Sequence, residues 1–293
     1  MTIIVPTSPS TKSGSDRLCA VHARSALFDL YGDHLTSGDN WAPIAGIVRL
    51  LGTVDVAPPA VRTAVSRMVR EGWLEPNERQ GQRGYAASAR ARARLDEARA
   101  RIYRTRDPQW DGQWHVVIVA HPTDRATRGR VIAALGYLGY ARLAPDTWVA
   151  PRVSADLADS LAVEKLESKA FFSRYSASAD ALAAELWHLE ELDSAYRHFI
   201  GTTRELVAGL SPDLTPESGF AIRTAFVHEW RKFLFLDPDL PVEVLPPSWP
   251  GREAAVLFTT TAASLLPLAR EFVDSCLRAD VKTQTSRTGA DRT

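Results

Sequence analysis

The stretch "AVRTAVSRMVREGWLEPNERQGQRGY", Ala60 to Tyr85, opens with a helical period and closes like a β-hairpin. Val61, Ala64, Val65, Met68 and Val69 recur at the spacing that lines one face of a helix, so that face is expected to be buried. The opposite face holds Arg62, Thr63, Ser66, Arg67 and Arg70. Pro58 or Pro59 suits the helix start, and Gly72 suits its end. In "WLEPNERQGQRGYAAS", apolar residues bracket a Gly-containing turn, which predicts strands from Trp73 to about Glu78 and from about Tyr85 to Ala87. Arg79 and Arg83 stand at that turn.

Upstream, "LCAVHARSALFDLYG" puts Ala23, Leu27, Leu30 and Tyr31 on one helical face, with Gly32 as the stop. "TSGDN" reads as a loop. Ile44, Ile47, Val48 and Leu51 then make the apolar face of a second helix, which "GTVDVAPP" breaks. Three helices followed by a hairpin is the order of a winged helix-turn-helix. The polar face of the third helix suits a major groove, where arginine pairs two donors with guanine and Ser and Thr add shorter contacts. Arg79 and Arg83 suit phosphates or the minor groove. "SARARARLDEARARIYR" adds a helix over 88–104 with an Ala91, Leu95, Ala98 and Ile102 seam flanked by arginines. It reads as a connector, or else as a helix that stabilises a dimer or touches phosphates.

Charge agrees with this placement. Lys+Arg and Asp+Glu are 35 each over 293 residues, yet residues 1–106 hold 16 basic against 10 acidic side chains. A basic N-terminal third on an acidic remainder points to an anionic partner for the first part. Cys19 and Cys276, the only two cysteines, suit a reducing cytosol and no disulfide framework. No apolar run reads as long enough to span a bilayer, so no membrane association is expected. Residues 1–17 read as a disordered lead-in and 281–293 as a disordered tail.

The remaining chain divides in two. Over 105–178, "QWHVVIVAHP", "TDRATRGRVIAALGYLGYA", a short strand near Ala141–Leu143, "TWVAPR", "SADLADSLAVEKL" and "KAFFSRYS" read as βαββαβ, the ferredoxin-like order, with Thr123 capping its first helix. From 179 to 280 the pattern is helical. The fold class is therefore α+β: a winged helix domain over 18–104, a ferredoxin-like domain and a helical C-terminal domain.

Chemistry is sparse. Asp124 follows the first strand of the middle domain, where a metal-dependent nuclease would hold a cation, but it stands beside Arg125 and Arg128 and fits a helix's first turn better. His115, His121, His188 and His198 lack the spacing of metal pairs. No catalytic set, metal site or cofactor is expected. "FVHEWRKFLFLDP" mixes aromatics with charge, and His228, Trp230, Arg231 and Lys232 could receive phosphates or an aromatic ring; a buried aromatic face with solvated charges fits equally.

Taken together, "SALFDLYGDHL", "AVRTAVSRMVREGWLEP", "WDGQWHVVIV", "LGYARLAPDTWVAPR" and "RTAFVHEWRKFLFLDPDLPVEVLPPSWPG" resemble the PaaX family, the repressors of bacterial phenylacetic acid degradation. The resemblance covers nearly residues 20–270. It implies a cytoplasmic homodimer on double-stranded operator DNA, with a middle domain shaped like the small CRISPR-associated nucleases. It also implies repression of a catabolic operon and release by an aryl-acetyl-CoA thioester such as phenylacetyl-CoA. Arg223, Trp230, Arg231, Lys232 and Trp249, with Arg174 on a middle-domain strand, offer the cations and apolar surface such a ligand needs. The alternatives are a nucleic-acid-processing, nuclease-like protein, and a regulator answering to a non-CoA effector or to protein partners. Two features depart from the family. The turn "LGTVDVAPPAVR" is longer and puts Ala57 at the helix cap, with Thr53 and Asp55 as alternative caps, and the wing carries glutamines in "RQGQRGY".

Overall fold

Helix α1 (Ala23–Asp29) does not stop at Gly32; it widens into a π-turn over Leu30–His34. A Cβ at Gly32 would lie 3.3 Å from Leu95 Cδ2, so the glycine lets that leucine close onto the turn rather than ending the helix. The structure, a computed structural model, describes residues 22–36, 40–103, 109–120, 122 and 124–278. The expected lead-in and tail, Cys19, His121 and the Thr123 cap lie outside these residues.

Along the chain follow β1 (Trp41–Pro43), α2 (Ile44–Gly52), α3 (Pro58–Arg70), β2 (Leu74–Arg79), β3 (Gln82–Ala87) and α4 (Ala89–Ile102). Next come β4 (Trp114–Val119), α5 (Arg125–Tyr137), β5 (Ala141–Ala144), β6 (Thr147–Ala150), α6 (Leu157–Val163) and β7 (Ser168–Ser173). The chain continues with α7 (Ala179–Leu186), α8 (Leu189–Ala208), α9 (Pro216–Arg231), α10 (Phe233–Leu236) and α11 (Gly251–Arg278).

The described residues fall in two compact units. The first takes in the described residues within Met1–Asp96, Thr202–His228 and Thr261–Thr293. Its sheet has the order β1-β3-β2, all antiparallel. Only a loop was expected ahead of α2; Trp41–Pro43 instead forms a third strand against β3. Leu27, Leu30, Ile47, Leu50, Val61, Val65 and Met68 make the core, and Phe220 of α9 and Phe272, Val273 and Cys276 of α11 complete it. Ser88 joins the wing to α4: its Oγ accepts from Ala91 N at 3.2 Å and donates to the Gly72 carbonyl at 2.8 Å.

The second unit draws on Glu97–Gly201 and Glu229–Thr260. Strand order β5-β6-β4-β7, antiparallel throughout, with α5 between β4 and β5 and α6 between β6 and β7, is the ferredoxin-like βαββαβ arrangement. Val117, Val119 and Trp148 pack with Val131, Leu135, Leu157 and Leu161 on one side of the sheet. Trp114 and Val149 pack with Leu182, Ala183 and Val244 on the other.

By length and composition alone, α11 is the one helix among the described residues long and apolar enough to cross a membrane. Its apolar character has another cause. Ala254, Phe258, Ala262, Leu265, Ala269, Phe272 and Cys276 are all buried, at spacings of three and four, so the helix carries a core-facing stripe.

Candidate nucleic-acid interface

α3 separates its residues as its period demands. Val61, Ala64, Val65 and Met68 are buried, whereas Arg62, Thr63, Ser66, Arg67 and Arg70 are exposed. The buried stripe fixes which way the helix turns, and so presents the five polar residues together to solvent. Arg67 and Arg70 lie in the last turn, where the helix dipole favours cations.

The turn before α3 resolves the capping question. Ala57 is the N-cap and offers no side-chain hydrogen bond. Thr53 Oγ1 donates to the Leu50 carbonyl at 2.7 Å, and Asp55 takes a left-handed φ of 61° that closes the turn. Neither caps α3. The helix tolerates this because Pro58 and Pro59 open it, and prolines have no N–H to leave unsatisfied. Buried Val56 anchors the turn to the core.

The wing is β2 and β3 in register from Leu74↔Ala87 to Arg79↔Gln82. Gln80 and Gly81 both have positive φ, 52° and 74°, the two-residue turn whose twist matches a hairpin. Arg83 is exposed and stands across from Glu78; Arg79 is half-buried, with its guanidinium 5.2 Å from the Trp41 ring centroid. Nothing local in the sequence marks Trp41 as part of the wing. A three-residue strand ending in proline shows no alternation by which it could be recognised.

The same unit holds a cluster of ionisable side chains that the sequence did not reveal. Arg223 of α9 is buried; its Nη2 donates to Asp33 Oδ1 of the π-turn at 2.8 Å, and its Nη1 donates to the Ala262 carbonyl of α11. His34 Nε2 is 2.9 Å from Thr224 Oγ1 and 3.6 Å from Asp33 Oδ2. His228 Nδ1 is 2.8 Å from buried Asp29 Oδ2. Burial lowers the His34 pKa to about 4; Asp33 opposes that shift and Arg223 adds to it. His34 is therefore neutral when folded and takes up a proton on unfolding below pH 6.5, so its contribution is complete above that pH and is lost as pH falls towards 4. The full swing is roughly 3 kcal/mol. Buried His115 adds a contribution of the same sign. Urea midpoints should be flat above pH 7 and fall below 6.5, and His34→Gln should flatten part of that fall. An unchanged pH profile in the variant would contradict the assignment.

The six residues that could serve a thioester ligand divide between interior and surface. Arg223 and Trp230 are interior: the first is held as above, and the second donates from Nε1 to the Ile102 carbonyl at 2.8 Å and stacks on Phe258 at 4.7 Å. Neither can meet a ligand without giving up those contacts. Arg174 and Lys232 are exposed, while Arg231 and Trp249 are half-buried. Arg174 donates to the Asp111 carbonyl at 2.8 Å, and Lys232 Nζ lies 2.7 Å and 2.6 Å from the Glu229 carboxylate oxygens. The Trp249 ring centroid lies 6.0 Å from that of Tyr196. His228, also weighed for phosphate, is tied to Asp29 instead. Asp124 is the N-cap of α5; its Oδ1 accepts from Thr127 N at 2.8 Å, and this bond lowers its pKa.

Three family models match successive stretches of the chain: PaaX-like protein over residues 22–91, PaaX protein central Cas2-like domain over 107–185, and PaaX-like protein C-terminal domain over 187–275. A curated relative, Transcriptional repressor PaaX of Escherichia coli strain K12, is 32% identical over 269 residues, which are 86% of this chain and 83% of the relative. Among solved structures, uncharacterized protein Rv0674 from Mycobacterium tuberculosis aligns with a TM-score of 0.59 at 24% identity, covering 86% of this chain and 98% of that one. This last likeness speaks for the fold alone.

Proposed function

Because the chain belongs to the PaaX-like family, we propose that it is a DNA-binding transcriptional repressor whose helix α3 reads the major groove and whose wing holds the backbone. The observation that carries this reading is the α3 surface: Arg62, Thr63, Ser66, Arg67 and Arg70, exposed together over a buried stripe. Arginine can take guanine with two donors, and the shorter Ser and Thr reach neighbouring edges or phosphates. Arg79 and Arg83 contact phosphates or the minor groove, adding affinity with little sequence preference. A mobility-shift titration of the DNA upstream of the chain's own gene, against a scrambled duplex, tests the reading.

The finer proposal is release by an acyl-CoA, phenylacetyl-CoA being the first candidate, acting on a catabolic operon. The relative's name supports repression; the ligand class is carried by the family resemblance. Arg174 and Lys232, exposed, and Arg231 and Trp249, half-buried, are the residues proposed to meet the ligand. A ligand that binds the DNA-free state a hundredfold better supplies about 2.7 kcal/mol, and operator DNA must then weaken ligand binding by the same factor. Calorimetry with phenylacetyl-CoA, free phenylacetate and CoA is expected to give heat with the thioester alone, reduced when operator is present. No heat with the thioester would transfer the effector to another chemical class.

We take the acting species to be a homodimer on an inverted repeat, since two recognition helices in successive grooves multiply a modest single contact. Strand β7 supports it: Ser168–Ser173 is a sheet edge, and half-exposed Phe171 and Phe172 leave it open to pairing. Light scattering should give twice the chain mass; a stable monomer footprinting one half-site would contradict it.

A further inference from the structure

We propose that Trp41 is a positioning residue of the DNA interface, holding the Arg79 guanidinium in place on the wing before DNA arrives. The inference rests on the reading of the wing as a DNA contact.

Trp41 opens β1 and pairs with Ala86 of β3. Three features of the wing converge on its indole. Nε1 donates to the Asn77 carbonyl of β2 at 3.1 Å. The ring edge lies against the bare backbone of Gly84 on β3, where a Cβ would come within 2.6 Å of the indole and 2.5 Å of the Ala42 carbonyl. The Arg79 guanidinium stands over the ring, 5.2 Å from its centroid. The side chain thus touches both strands of the hairpin and the cation beside its turn.

Each contact constrains the others. The Nε1 bond sets the indole's tilt, Gly84 leaves room for the ring edge beside the ladder, and the ring face is what the guanidinium stands over. Indole is the strongest aromatic platform for a cation. An arginine that meets a phosphate from free solution must give up its rotamer freedom on binding. Arg79, already laid on Trp41, has surrendered much of it. The two wing arginines accordingly differ: Arg83 is exposed, whereas Arg79 is half-buried. Arg79 is then the preorganised contact and Arg83 the adaptable one.

A sheet-supporting tryptophan would explain the Nε1 bond and the Gly84 contact equally well, so the test must read the coupling to Arg79. Binding of the full chain to a scrambled DNA duplex is measured by fluorescence anisotropy at two salt concentrations, for the wild type, Trp41→Leu, Arg79→Ala and the double variant. Arg79→Ala is expected to weaken binding several-fold and to reduce the logarithmic salt slope by about one. Trp41→Leu is expected to cost roughly threefold on its own and to cost nothing further in the Arg79→Ala background. Equal losses in both backgrounds would mean that Trp41 supports the strand alone, overturning the inference while the wing reading stands. If Arg79→Ala leaves affinity and slope unchanged, wing reading and inference fall together. Trp41→Phe is carried through the same cycle, so that a leucine variant that fails to fold still leaves a readout. It keeps a weaker platform and is expected to lose affinity only where Arg79 is present; the same loss without Arg79 would overturn the proposal.

Discussion

Arg223→Ala is expected to destabilise the protein by about 3–5 kcal/mol, the cost of leaving one partner of a buried ion pair uncompensated. The side chain is 3% exposed, bonded to Asp33 at 2.8 Å and to the Ala262 carbonyl, and so holds α9, the π-turn and α11 together. Its loss leaves Asp33 buried with its negative charge. The penalty should also depend on pH in a particular sense. Arg223 helps keep His34 neutral, and His34 Nε2 is 3.6 Å from Asp33 Oδ2. Without the guanidinium, His34 can take a proton and replace the missing charge, so the variant should lose less relative to wild type at pH 5 than at pH 8. Arg223→Met combined with Asp33→Leu should recover part of the loss, because replacing both partners removes the unpaired charge. Urea midpoints for the three proteins at both pH values measure this. A loss below about 1 kcal/mol, or a penalty independent of pH, would contradict the assigned role.

Arg62→Ala with Arg67→Ala is expected to abolish most discrimination between operator and scrambled DNA. Each base-reading arginine contributes about 1–3 kcal/mol of preference, so the pair removes roughly 2–6 kcal/mol, a factor of about thirty or more. Both are exposed and α3 is fixed by its buried face, so stability should change by less than about 0.5 kcal/mol. Binding to the scrambled duplex should weaken far less than binding to operator. Equal losses on both DNAs would assign these arginines to phosphates, and unchanged operator affinity would remove α3 as the reading helix.

Period made α3 legible. Val61, Ala64, Val65 and Met68 are buried where their spacing put them, and the exposed residues followed by geometry. The wing was legible from its glycine turn, and the ferredoxin-like order from strands and helices alternating at ordinary lengths. Other features depended on partners remote in sequence. Arg223 stands in a stretch rich in charge and aromatics, and nothing local distinguishes a buried arginine from a ligand-binding one; its partner Asp33 is 190 residues away. Trp230 reads alike as a ring for a ligand or as core, and only its packing on Phe258 decides. Gly32 shows why glycine is an ambiguous signal: the same residue that ends helices also admits a close neighbour, here Leu95. β1 was too short to show a period.

The most direct test of the central claim is the salt dependence of binding to the DNA upstream of the chain's own gene, compared with a scrambled duplex of the same length. A specific repressor of this design should bind the upstream DNA at least about a thousandfold more tightly at physiological salt, and affinity for both duplexes should fall steeply as salt rises. Equal affinity for the two duplexes, or binding indifferent to salt, would contradict the assignment of α3 and the wing as a sequence-reading surface.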